Sequence, residues 1–146
     1  MDPKLEKRNS EFADPRAIPG RPVKDFTDLQ PRKLARELRQ RVYTSAGTFP
    51  AEEKLVPRAQ LRGAAIPVTA NLAEGYGRFS YQENLLYPRQ ARGSAYEVRD
   101  HLTTALDAGY LSQKEWKARD ELAQRVIQLL NGYVRSTRAR QAADAR

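Results

Sequence analysis

Apolar residues recur at helical spacing from Asp28 onward. Leu34, Leu38 and Val42, with Ala35, line one face, and Arg32, Arg36 and Arg39 fall on the opposite one. Pro31 fits only the first turn of a helix, where its missing N–H is not needed, so this helix begins near residue 29. Gly47 and the Phe49–Pro50 pair end it near 46. A second helix is predicted over 57–74, from Pro57 through Leu61, Ala64, Ala65, Val68 and Leu72 to Glu74, with Pro67 marking a bend. Ser80 and Glu83 have the spacing of a capping box and start a third helix over 81–108. Leu85, Tyr96, Leu102 and Leu106 are its apolar positions, Pro88 a second bend and Gly109 its stop. Ser112 and Glu115 repeat the capping box and open a fourth helix over 113–135, with Trp116, Leu122, Val126, Leu129, Leu130 and Tyr133 at helical spacing. No segment alternates as a strand does. The economical fold is all-α, an antiparallel up-down four-helix bundle.

The flanks read differently. Residues 1–24 place Pro3, Pro15, Pro19, Gly20 and Pro22 among mixed charges, without periodicity, and predict a flexible, disordered N-terminal arm. The bundle then occupies 25–136, and the polar stretch 137–146 is predicted to fray.

Composition narrows the function classes. No apolar run approaches the roughly 20 residues of a membrane span, and the first residues lack the apolar stretch of a secretion signal. Cysteine is absent, which excludes disulfides and thiolate metal sites and fits a cytoplasmic location. Lys and Arg total 26 against 18 acidic residues, a net charge of +8. Such a surface attracts polyanions, because each phosphate contact releases counterions; it also serves plain solubility.

Little catalytic chemistry is on offer. The single histidine, His101, lies mid-helix with no nucleophile signature around it, and reads as structural. Glu97 precedes it by four residues, not by the three of a di-iron bundle, and only once. No catalytic residue, metal ligand or cofactor is predicted. The stretch "TANLAEGYGR" at 69–78 holds G-x-G, but it follows a helix and lacks the rest of a phosphate-binding loop. It reads as a structural corner or interface. Gly75 stops a helix at positive φ, Gly77 allows a second unusual backbone angle, and Asn71 and Glu74 share a face and bond to each other or to a neighbouring helix.

At "QLRGAAIPVTANLAEGYGR" the chain resembles the four-helix-bundle family encoded by intervening sequences of bacterial large-subunit ribosomal RNA genes. That family's pattern is similar to Q-L-R-R-A-x-x-S-I-x-x-N-I-A-E-G-x-G-R. Gln60, Leu61, Arg62, Ala64, Asn71, Ala73, Glu74, Gly75, Gly77 and Arg78 match it. Tyr43, Phe49, Pro50 and Glu53, then Ala91, Gly93, Ser94 and Glu97, extend the likeness to residues 26–135. Gly63, Pro67 and Thr69 depart from the pattern, as do Arg32, where tryptophan is usual, and Pro88 and Arg92, where apolar residues are. The resemblance implies a homopentamer of four-helix protomers with a basic surface toward nucleic acid, and no enzyme activity. A related branch, the accessory protein of diversity-generating retroelements, binds a reverse transcriptase and its RNA.

Two readings follow. In the first, the protein binds nucleic acid, RNA ahead of DNA, through phosphate contacts from Arg32, Arg36 and Arg39 on the first helix and Arg62, Arg78, Arg89 and Arg92 around the corner. In the second it is a protein-binding scaffold or accessory subunit, for example of a reverse transcriptase, and each arginine is an ordinary solvated charge.

Overall fold

A computed structural model describes residues 16–17, 23–50, 58–78 and 80–146. Among the described residues, four α-helices follow a single 3-10 turn at Phe26–Asp28: α1 (Gln30–Gly47), α2 (Arg58–Tyr76), α3 (Tyr81–Asp107) and α4 (Gln113–Asp144). Each helix packs against its neighbour in sequence, and α1 closes the ring against α4; the backbones of the diagonal pairs α1–α3 and α2–α4 stay farther apart, and only their side chains share the core. Cross-helix bonds fix the antiparallel register. Arg39 reaches Thr69 between α1 and α2, and Arg92 reaches Asn131 while Arg99 reaches Asp120 between α3 and α4. No strand is present among the described residues.

The core forms where the apolar stripes converge. Leu38 and Val42 of α1 meet Leu61, Val68 and Leu72 of α2, Val98 and Leu102 of α3, and Val126 and Leu130 of α4, all inaccessible or nearly so. On α3 the buried stripe is Ala91, Ala95, Val98, Leu102 and Ala105, at alternating spacings of four and three. Tyr96, predicted as one of its apolar positions, points outward and is 52% exposed. Small residues hold this seam because the neighbouring backbones come close, a pattern that gives alanine the place a larger residue would seem to claim.

The helix ends correct several expectations. Ser112 and Glu115 form the full reciprocal box, each side chain bonding the other's backbone N–H. At Ser80 only half of it forms: its Oγ accepts from the Glu83 N–H, and the Glu83 carboxylate accepts from the Ser80 hydroxyl. Pro67 and Pro88 lie inside α2 and α3, and both helices continue through them. Gly75 does not stop α2, which runs to Tyr76, and its φ is not positive. Among the described residues only Gly109 has a positive φ, +79°, in the α3–α4 turn. Gly75 is instead a point of close approach, since a Cβ there would lie 2.8 Å from the Cβ of Tyr87 on α3.

Nor does α4 fray at 137. It continues to Asp144, with Tyr133, Val134 and Thr137 buried. After Gly132 no Gly or Pro interrupts the chain, and Ala139, Ala142 and Ala143 are strong helix formers. Part of the segment preceding the bundle is docked on this end. The Arg16 guanidinium stacks on the Tyr133 ring at 5.3 Å, the Gln30 N–H donates to the Arg16 carbonyl (2.8 Å), and Ala17 pairs with Leu29. The rest of the predicted arm, 1–15 and 18–22, lies outside the described residues, as does Pro57.

Candidate nucleic-acid interface

The seven arginines singled out by the sequence divide into three situations. Arg32, Arg36 and Arg39 recur at i, i+4 and i+7 and share one side of α1, which flanks the core beside α2 and does not lie opposite the apolar stripe as the spacing predicted: Arg32 and Arg39 are half-buried. Arg36 is exposed and has no partner among the described residues. Arg32 lies over the Phe26 ring at 5.3 Å, its Nε shielded from solvent without a hydrogen bond. Burial first, then the charges of Arg36 and Arg39, push its pKa below the ordinary value, and only Asp25 opposes them. Arg39 donates from Nη1 to Thr69 Oγ1 at 2.8 Å, so part of its guanidinium ties α1 to α2.

The corner arginines are more committed. Arg78 bonds the Glu74 carboxylate through both Nε (3.1 Å) and Nη2 (2.6 Å), with Glu83 3.6 Å away. The hydrogen bond to Glu74 leads the causes that raise its pKa. Arg62 lies 4.9 Å from the Tyr43 ring centroid and donates to the Tyr43 carbonyl (3.4 Å). Arg92 donates to Asn131 Oδ1 on α4 (2.9 Å). Arg89 is exposed, with no partner among the described residues. Thus, among the described residues, Arg32, Arg36 and Arg89 make no hydrogen bond, and of these Arg36 and Arg89 are exposed.

Asn71 and Glu74 do not bond each other. Asn71 Nδ2 donates to the Pro67 carbonyl one turn back (2.9 Å), and Glu74 turns to Arg78. A partner four residues away in either direction was available to each side chain, and both took it. Gly77 lies in the turn after α2, with ordinary φ. His101 is partly buried, with Nε2 3.3 Å from Glu97 Oε1.

Beside the α1 arginines, Arg39, Gln40, Tyr43 and Thr44 of α1 and Ile66 of α2 line a half-open groove of about 540 Å³. Sequence reasoning missed it because the apolar stripes of the first two helices leave out Tyr43 and Ile66, which are 37% and 44% exposed. It also missed Arg135 and Arg138, which the continuing α4 displays on its exposed side. The uninterrupted, alanine-rich stretch after Gly132 was the available signal.

The arrangement defines a class: a small all-α bundle with three arginines along one side of α1, and with no cluster of metal-ligating side chains among the described residues. Nor is any described helix long and apolar enough to cross a membrane. Residues 27–132 match the family model described as 23S rRNA-intervening sequence protein, and the chain belongs to that family. The crystal structure of a protein of unknown function of the S23 ribosomal protein family, from Bacteroides thetaiotaomicron, has the same fold. It superposes with a TM-score of 0.66 at 15% identity, over 71% of this chain and 97% of that one. No curated protein matches this chain.

Proposed function

We propose that the protein is a non-enzymatic bundle that binds nucleic acid, RNA ahead of DNA, through phosphate contacts on the arginine-bearing side of α1. One observation carries this reading: Arg36 stands exposed between Arg32 and Arg39, three cations within two turns of one helix, where burial first and then the two neighbouring charges disfavour the Arg32 cation and Asp25 opposes them. A phosphate placed there relieves that repulsion. Contacts to phosphate position a backbone without reading bases. Membership in a family named for a ribosomal RNA insertion supports RNA as the polyanion.

Copies of the chain would repeat the face and add weak contacts together. Assembly as a homo-oligomer, a pentamer by the family resemblance, is part of the proposal. The outer side of α3 suits it, since Leu86 and Tyr96 are 46% and 52% exposed there.

Arg36→Gln is the cleanest test, because Arg32 and Arg39 also hold local structure. The parent should bind RNA with an affinity that falls steeply with salt. Arg36→Gln should keep the melting temperature and lower the log–log salt slope by roughly one per site. A parent that binds neither RNA nor DNA at low salt would overturn the reading and leave a protein-binding scaffold.

A further inference from the structure

We propose that the groove beside the α1 arginines holds one unpaired nucleotide base, so that the nucleic acid taken up is single-stranded; this rests on the reading above. Tyr43 follows Arg39 by four residues and continues the same face of α1. It and Ile66 are large side chains left out of the core, and both line one groove formed by α1 and α2. Its volume of about 540 Å³ lies within the range of small-ligand pockets.

The groove is built for something flat and anionic. Arg62 holds the Tyr43 ring from 4.9 Å without itself lining the groove, so the ring is fixed on one side and keeps surface toward the opening. A ring held in this way is a stacking platform for a base. The Thr44 hydroxyl is committed to the Gln40 carbonyl (3.1 Å). The side-chain amide of Gln40, without a partner among the described residues, then offers a donor and an acceptor to a base edge. Among the described residues no carboxylate lines the groove; its charged residue is Arg39, with Arg36 one turn away along the strip. An apolar slot with cations at its rim matches a base joined to a phosphate. In a duplex the base faces are covered by their neighbours, so only an unpaired base reaches Tyr43.

The test uses the full chain, a fluorescein-labelled single-stranded oligoribonucleotide of mixed sequence, and the same strand annealed into a duplex, at one fixed salt concentration. The parent should prefer the single strand. Tyr43→Ala should weaken single-strand binding by at least about fivefold, with duplex binding and the salt slope unchanged. Tyr43→Phe should restore the affinity, which separates a stacking role from loss of fold. Ile66→Glu, at an exposed position, should also weaken single-strand binding, and melting curves establish that each variant is folded. A parent that binds RNA with equal affinity in both forms, or folded Tyr43→Ala and Ile66→Glu variants that bind the single strand like the parent, would overturn the groove and leave the phosphate reading standing. Polyglutamate bound at the groove in preference to RNA, and lost in Tyr43→Ala, would overturn it in favour of an acidic peptide. A parent that binds no nucleic acid removes both.

Discussion

A Cβ on Gly75 would stand 2.8 Å from the Cβ of Tyr87 and 3.7 Å from Cδ of Pro88, a separation that the α2–α3 crossing cannot absorb without moving backbone. Gly75→Ala is therefore expected to destabilise the fold by about 1–3 kcal/mol, the ordinary cost of overpacking. Gly93 provides the control. It lies inside α3, and an added Cβ there meets nothing within 4 Å. Gly93→Ala should stabilise by roughly 0.5–1 kcal/mol through helix propensity alone. Thermal melts of both variants check the pair, and a neutral Gly75→Ala would show that the two helices can part at no cost. The motif around Gly75 was legible in the sequence, but its reason was not. A glycine after a helical run reads as a stop at positive φ, and only the position of Tyr87, twelve residues on, reveals a contact.

Among the helices, α3 and α4 are joined by more than their apolar stripes. Arg99 bonds Asp120 through Nε at 2.8 Å and Nη2 at 3.3 Å, and Gln124 adds a third bond at 2.7 Å. The bond to Asp120 leads the causes that raise the Arg99 pKa. The Asp120 side chain is 7% exposed and that of Arg99 is 33%, which makes the pair asymmetric. Removing Arg99 leaves a buried carboxylate with Gln124 alone, whereas removing Asp120 leaves a guanidinium that can turn to water. Arg99→Ala should cost about 2–3 kcal/mol, discounted from a fully buried pair for that exposure, and Asp120→Ala less. Chemical denaturation of the two single variants measures the difference. Element identity was readable here, since capping residues and 3.6-residue spacing act locally. The outward turn of Tyr96, the helical course of α4 beyond 137 and the cross-helix roles of Arg39, Arg62 and Arg92 were not. Each depends on what another helix presents, and a charged side chain looks alike in sequence whether it meets water or a carbonyl.

At the scale of the whole molecule, the bundle is a chain of neighbours closed by one long-range seam. The α1–α2, α2–α3 and α3–α4 pairs each follow directly in sequence, while α1 and α4 meet through contacts such as Arg119 to Ser45 (3.2 Å), 74 residues apart. The clasp at the far end, Arg16 on Tyr133, spans 117 residues. Fixing such distant segments carries a larger loop-closure entropy than joining adjacent hairpins. The Gln30 amide, in the first turn of α1, has no acceptor within its own helix and depends on the Arg16 carbonyl. The clasp should therefore be the first part of the described structure to open and the last to close. In native-state hydrogen exchange, the Gln30 amide should exchange through this local opening, with a free energy well below that of the Leu102 amide, which should require global unfolding. Equal protection at both sites would mean that the clasp and the bundle melt as one unit.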